Sequence, residues 1–268
     1  MQRTKNNELV YYRFESLAAC DEVSHGVFTR LGGVSRGIWS SLNLSQSTGD
    51  DAASVAENRR RMFSALETSE ASSVTTWLTH GSDVRVVDQH THKTVNYNDI
   101  HADALITCTP GINLTMRYAD CVPVLLYDPS HCAIGIAHAG WLGVVRGIIP
   151  AVIDRMKSAF SCCPDKILAC IGPAIGPEKF EVGADVALQI QSTVQESIIH
   201  GSSHGSQAKQ TVDLWSAVRS QLFCAGVINT ETAGICTASN THEWFSHRAE
   251  RGRTGRFGVS IAIRSSSK

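Results

Sequence analysis

No pair of cysteines in this 268-residue chain is spaced Cys-x-x-Cys, although it has nine, at positions 20, 108, 121, 132, 162, 163, 170, 224 and 236. That absence excludes zinc ribbons and thioredoxin-type redox motifs. The opening residues, Met1-Gln-Arg-Thr-Lys-Asn-Asn-Glu, lack the apolar core of a secretion signal. A cytoplasmic setting follows as the expectation, with reduced thiols packed as small, mostly buried hydrophobes. Long apolar runs are missing too: Val122–Tyr127 is among the longest, far short of the roughly 20 residues that span a bilayer. Neither sign of charge is in excess, with 24 Lys plus Arg against 25 Asp plus Glu and a net charge of -1. This balance argues against a general grip on nucleic acid or on an anionic membrane. A Walker loop and a dinucleotide glycine fingerprint are both absent. What is present is a globular composition, 43% hydrophobic and 18% charged, in a chain long enough to bury roughly 70–75% of its unfolded surface. No linker-like stretch or fixed-period repeat divides it, so residues 1–268 are read as one domain.

Strand-like and helical periodicities are interspersed. Ala52–Leu66 suits a helix capped by Asp50 or Asp51, with Val55, Met62, Phe63 and Leu66 on one side. β-rich runs follow at Val74–Thr79, Val84–Asp88, Ala104–Cys108, Ile112–Met116, Val124–Asp128 and Ala133–Ala137. From Trp141 to Phe160 apolar residues recur every three or four positions, as in an amphipathic helix, which Pro150 is expected to kink. Lys166–Ile171 reads as a strand, Gly183–Ile199 and Asp213–Ala225 as helices, and Phe257–Ile263 as a closing strand. Consecutive central strands joined by short turns favour α+β with mixed sheets over a regular parallel βαβ wind.

Three segments offer metal-type donors at turns. Ala133-Ile-Gly-Ile-Ala-His138-Ala-Gly140-Trp runs an alternating strand into a histidine, then a glycine turn, then a helix. Met116-Arg-Tyr-Ala-Asp120-Cys121-Val-Pro places a cysteine between two apolar strands, near Arg117. Thr79-His80-Gly81 ends a third β-rich run. Two histidines and a cysteine would supply three ligands and leave a fourth position open, the pattern of a catalytic zinc and not of a structural one. Each segment also has a plain structural reading, as a capped turn or a buried thiol. His90 and His92 form a second histidine pair in a polar stretch that reads as a loop. The His-x-Glu and Pro-Cys-x-x-Cys signature of zinc nucleobase deaminases is absent. Between Phe245 and Arg256, four arginines (248, 251, 253 and 256) offer forks suited to phosphate or carboxylate, or a solvated loop paired with Glu243 and Glu250.

Taken together, these segments resemble the laccase-domain family, also called the polyphenol oxidase or peptidoglycan editing factor family. The resemblance runs from His25 to Ile263 and rests on several motifs in the family order: His25-Gly-x-x-Thr-Arg30, Ser41-Leu-Asn43-Leu, Thr79-His80-Gly and Ala102-Asp-Ala. It continues with Ala119-Asp-Cys121-Val-Pro, His138-Ala-Gly-Trp, Gly172-Pro-x-Ile-Gly-Pro and Gly252-Arg-Thr-Gly-Arg256. It implies a four-layer α/β/β/α sandwich, a fold shared with the cytotoxic necrotizing factor-type cysteine hydrolases. It further implies Zn2+ held by His80, Cys121 and His138, with copper (Cu2+) as the alternative metal. The implied activity is phosphorolysis of adenosine, inosine and methylthioadenosine by a monomeric purine nucleoside phosphorylase, with adenosine deamination alongside. Its implied partners are small molecules, a purine nucleoside and phosphate.

Arg30 and Asn43 match polar positions of the family pocket, and Arg248 and Arg256 are candidates to hold phosphate. Asp120, beside a ligand, is a candidate to orient a metal-bound histidine or to carry a proton. The sequence departs from the family pattern at Leu142, where Arg is usual, at Ala174 for Cys and at Phe180 for Tyr. A rival reading makes Cys121 the nucleophile and His138 the base of a hydrolase editing peptidoglycan precursors. Copper-dependent phenol oxidation is less well supported, because one three-ligand centre cannot store the four electrons that reduction of oxygen requires.

Overall fold

The computed structural model describes residues 1–90, 101–202 and 209–265. Its centre is a hairpin in which strict alternation sorts side chains to two faces. Strand β8 (Val122–Asp128) sends Val122, Val124 and Leu126 to one side and Leu125 and Tyr127 to the other. Strand β9 (Ala133–Ala139) does the same with Ala133, Ala137 and Ala139 against Ile134 and Ile136. Around this hairpin one six-stranded sheet has the order β14 (Asn229–Thr232), β10 (Leu168–Ile171), β8, β9, β6 (Ala104–Thr107) and β5 (Val84–Val86). The other six-stranded sheet runs β1 (Gln2–Asn6), β2 (Leu9–Arg13), β3 (Val23–Phe28), β15 (Phe257–Ile263), β7 (Asn113–Tyr118) and β4 (Ser73–Val74). β10 with β14, β5 with β6 and β4 with β7 are parallel pairs in otherwise antiparallel sheets. The mixed α+β reading of the sequence holds.

Three apolar cores define the layers. Leu114, Met116, Val259 and Ile261 of one sheet pack against Leu125, Tyr127, Ile134 and Ile136 of the other, making the inner core. The outer face of the hairpin sheet is covered by α3 (Trp141–Val145), α4 (Ile148–Phe160), α5 (Ala184–Gln191) and α6 (Leu214–Cys224). The outer face of the second sheet, through Tyr11 and Phe28, meets Met62 and Phe63 of α2 (Ala52–Ala65). Two sheets are thus sandwiched between helical layers. A four-residue helix, α1 (Glu15–Ala18), lies between β2 and β3. None of the described helices is long and apolar enough to cross a membrane.

Several expected boundaries move. The cap of α2 is Asp51, which accepts from Ser54 N–H at 2.8 Å, while Asp50 instead binds the Ser35 hydroxyl at 2.6 Å. The long helix from Trp141 divides at Gly147, whose φ of +78° is open to glycine. Pro150 stands in the first turn of the second piece, where its missing N–H costs nothing, and so makes no kink. The helix expected over Gly183–Ile199 keeps eight residues, Ala184–Gln191. Ser192 and Thr193 turn their hydroxyls onto the Gln189 and Ile190 carbonyls at its end. The chain around it forms a small third sheet, β11 (Glu181–Gly183), β13 (Lys209–Val212) and β12 (Ile199–Ser202). Strand β4 is two residues and not six, and only three of the nine thiols are buried, with Cys108, Cys163 and Cys224 exposed. His92 lies outside the described residues.

His25 shows how the core sets a protonation state. Its Nε2 accepts the Phe14 N–H at 2.9 Å, and its buried Nδ1 has no partner among the described residues. Burial, then the charge of Arg13, hold its pKa down to about 3 from 6.5. The unfolded chain therefore takes up a proton below pH 6.5 that the folded chain refuses, and stability is lost as pH falls from there toward 3. Between pH 7.5 and 5.5 the wild type should lose about 1.4 kcal/mol more than His25→Gln in urea unfolding. Equal losses in the two proteins would show that His25 is not held neutral.

Candidate active site

Strand β7 belongs to one sheet and β8 to the other, so Ala119-Asp120-Cys121 must step across the sandwich. This step puts Cys121 at the junction of the two sheets, with Asp120 in a left-handed conformation (φ +86°). His138 lies near the end of β9, opposite Pro123, and alternation puts its ring on the inner face with Ile134 and Ile136. There it stacks at a tilt on Tyr118, with ring centroids 5.5 Å apart. His80 comes from the loop before β5, again at positive φ (+54°), and its ring meets His138 edge-on at 5.0 Å. The ligand atoms of His80, Cys121 and His138 all lie within 4.8 Å of one another, and the trio grades from exposed through half-buried to buried. The structure brings together the three donors singled out in the sequence.

The residue that holds this arrangement is Asp103, at the entrance to β6. Its Oδ2 accepts Thr79 Oγ1 (2.6 Å), Gly81 N (2.8 Å) and Thr79 N (3.1 Å). Its Oδ1 accepts His80 N (3.0 Å) and faces His138 Nδ1 at 3.2 Å. One buried carboxylate thus ties the His80 loop to the His138 ring and leaves the Nε2 of His138 for a ligand. Burial pushes its pKa up, but the bonds from His138, Thr79 and Gly81 outweigh that and hold it well below the carboxylate range. For His138 burial alone would lower the pKa; the neighbouring Cys121 sulfur and Asp103 reverse this and raise it to about 9. His80 goes the other way, its pKa lowered by burial and by the neighbouring His138. Asp103 stands in the Ala102-Asp-Ala motif, and its signal was a charged residue at the mouth of an otherwise apolar strand.

The orienting role expected of Asp120 accordingly falls to Asp103. Asp120 accepts Thr237 Oγ1 at 2.7 Å and Arg248 N at 2.6 Å, so it anchors the loop that carries Arg248. The expectations for Arg30 and Asn43 are also corrected. Arg30 binds the Ser40 and Thr241 carbonyls and Glu250, and its guanidinium lies over Phe245. Asn43 is fully buried, bonded to Ser45, Thr48, Asp50 and Arg256 N. Both build the loops behind the site, and neither lines the cavity over the three donors.

That cavity, of about 540 Å³, has two kinds of wall. Leu78, Trp141, Leu142, Ile175 and Phe180 form an apolar and aromatic side. Arg117, Arg248, Arg256 and His247 form a basic side. Elsewhere arginines pair with acids, as in Arg3–Glu243, Arg30–Glu250, Arg59–Glu70 and Arg60–Glu57. The three cavity arginines bind main-chain carbonyls: Arg117 that of Thr76 (3.2 Å), Arg248 that of Glu181 (2.7 Å), Arg256 those of Thr254 and Gly255 (3.2 and 2.9 Å). Burial, then Arg59, push the Arg117 pKa down to about 10, the mark of a cation without a counter-charge. Of the arginine cluster, Arg251 and Arg253 are exposed and stand away from the cavity. Leu142 and Phe180, two of the departures from the family pattern, both belong to its apolar side.

The donors fit a metal ion. Two imidazoles and a thiolate suit zinc or copper, and Gly140 keeps the point between them clear. A Cβ there would lie 3.0 Å from Cys121 Sγ and 3.3 Å from His80 Nδ1. Its φ of -74° would accept a side chain without strain. Gly140→Ala should therefore leave the unfolding midpoint nearly unchanged while weakening metal affinity at least ~10-fold, or about 1.4 kcal/mol. Undiminished affinity, read by competition with a chromophoric chelator, would place the ion elsewhere.

Known proteins resemble this chain along most of its length. Residues 24–264 match the family described as Multi-copper polyphenol oxidoreductase laccase. The chain is 34% identical to a protein named purine nucleoside phosphorylase from Bacteroides thetaiotaomicron, over 97% of this chain and 98% of that one. It is also 34% identical to purine nucleoside phosphorylase YfiH of Escherichia coli K12, over 92% and 94%. The crystal structure of YlmD from Geobacillus stearothermophilus superposes with a TM-score of 0.88 at 30% identity, covering 98% of each chain. That of YfiH from Bacillus licheniformis gives 0.87 at 29%, covering 97% of each. With its length matched from end to end and its donors gathered at one cavity, the chain belongs to the multi-copper polyphenol oxidoreductase laccase family.

Proposed function

We propose that this chain is a zinc-dependent purine nucleoside phosphorylase acting on adenosine, inosine and methylthioadenosine, with adenosine deamination at the same site. The observation that carries the reading is the cavity itself, in which the His80–Cys121–His138 cluster faces both an aromatic wall and three arginines whose side chains form no salt bridge among the described residues. Relatives named purine nucleoside phosphorylase support the class of reaction. His80, Cys121 and His138 would hold the ion, and when bound it supplies Lewis acidity toward an oxygen or nitrogen of the substrate.

The chain's own side chains do the rest. Trp141 and Phe180 offer flat apolar faces to a purine. Arg248, Arg256 and Arg117 would hold phosphate by charge-assisted bonds, close to where the ribose must lie. In phosphorolysis a phosphate oxygen bonds to C1′ of the ribose, the glycosidic C–N bond breaks, and the leaving purine nitrogen keeps the electron pair and takes up a proton. The negative charge of the bound phosphate screens the positive charge that grows on the ribose as this bond opens. Asp103 keeps His138 turned toward the cavity, and Asp120 keeps the Arg248 loop closed over it.

A second reading draws on one specific feature. Cys121, His138 and Asp103 also stand in the order nucleophile, base and orienting acid of a cysteine hydrolase, here one acting on peptidoglycan precursors. His80 separates the two, because only metal binding needs it. Purified protein incubated with adenosine should release adenine and ribose 1-phosphate when phosphate is present, and inosine by deamination in either case. All three products should vanish with a chelator and in His80→Ala. Activity on peptidoglycan precursors that survives both treatments, without nucleoside turnover, would decide for the hydrolase.

A further inference from the structure

The β8–β9 hairpin carries the family cluster near its open end. At its closed end, five residues from Pro123 and so about 17 Å along the strand, stands another group of donors. Asp128 ends β8, His131 sits in the turn, and Cys162 follows the end of α4. Their ligand atoms lie within 4.8 Å of one another. We infer that Asp128, His131 and Cys162 form a second binding site, for a divalent cation of the zinc class, separate from the cavity.

The burial and exposure of these three residues lead there. Asp128 is fully buried and Cys162 is 4% exposed, which is unusual company for a carboxylate with no Lys or Arg beside it among its described ion pairs. A divalent cation would offset the charge of the buried Asp128 carboxylate and take the place of the Cys162 thiol proton. His131 is about one-third exposed, so the group is open to solvent along one side and a cation has a path in.

Little movement is needed. With zinc–ligand distances of about 2.0–2.3 Å, tetrahedral donors stand roughly 3.3–3.7 Å apart. His131 Nδ1 and Asp128 Oδ2 are now 2.9 Å apart, joined by a proton. The Asp128 Oδ1 is already fixed by the Ser130 N–H at 2.8 Å, which leaves Oδ2 as the ligand atom. Burial, then the bond to Asp128, push the Cys162 thiol up to about 12. A cation entering would replace the thiol proton and the proton shared by His131 and Asp128, in the way that metal binding generally releases protons.

The experiment uses the whole chain, loaded with Zn2+ and freed of excess by desalting, with metal counted by mass spectrometry. Cys121→Ala removes a ligand of the family cluster and should leave about one zinc per chain. Adding His131→Ala, an exposed position, or Cys162→Ser should remove that zinc. With Co2+ in place of Zn2+, the Cys121→Ala protein should keep a sulfur-to-metal charge-transfer band, and Cys162→Ser should abolish it. Circular dichroism guards against misfolding, and if Cys162→Ser fails to fold, His131→Ala decides. A Cys121→Ala protein that holds no zinc, or whose zinc ignores both further substitutions, would overturn the inference and leave the group as a hydrogen-bonded turn. None of these readings depends on which substrate the cavity takes.

Discussion

Cys121→Ala is expected to empty the cation position in the cavity and to lower nucleoside turnover by ~10³-fold or more. The thiolate is the one anionic donor among the three, and the charge stabilisation a catalytic metal provides is worth several kcal/mol. Cys121 also sits half-buried in the step between β7 and β8. Its removal leaves two neutral imidazoles, which form a much weaker site at neutral pH. Metal content and product formation should fall together. A metal-free variant with full activity would reject metal-dependent turnover at this cavity.

Asp103→Asn should have the next largest effect, and on two quantities at once. Five contacts converge on this carboxylate, from Thr79, His80, Gly81 and His138. An amide in its place points an NH2 group at donors and leaves buried N–H groups unmatched, at roughly 1–3 kcal/mol each. A loss of about 2–4 kcal/mol in unfolding free energy is expected on that ground. The loosened His138 ring should in addition weaken metal binding ~10- to 100-fold, the usual effect of removing a ligand's outer partner. A variant that is less stable but binds metal as the wild type does would restrict Asp103 to holding the loop. The two measurements, chemical unfolding of the metal-free chain and metal titration, separate these roles.

Much of this was readable before any coordinates, and the reason differs from element to element. The strands β8 and β9 were legible because alternation is a local signal and both faces of the hairpin are buried. His80, Cys121 and His138 were each marked by a donor beside turn residues, and the family motifs tied them together. The split at Gly147 was missed because apolar periodicity runs unbroken through it, and only the left-handed backbone of that glycine shows the division. The third sheet was invisible for a similar reason: Glu181–Gly183 and Lys209–Val212 are short and carry little buried apolar surface, and pairing across a long sequence gap creates them. Arg30 and Asn43 matched a family pocket by position, but what a side chain touches is decided by packing. Arg30 is occupied by Glu250 and Phe245, and Asn43 by the loop from Ser45 to Asp50. Arg117 passed as a neighbour of the thiol and emerges as a largely unpaired cation in the cavity wall.

The passage Ala119–Cys121, where the chain leaves one sheet for the other, has a mechanical consequence. An ion held by Cys121 would pin the end of this step to the His80 loop and to the end of β9, all at one end of the hairpin sheet. Folded chains would then be selected by metal supply: a hundredfold excess of free ion over its dissociation constant adds about 2.7 kcal/mol to the native state. Cells starved of the ion would hold a population more easily digested, so that the amount of this protein, and not its turnover alone, follows the metal.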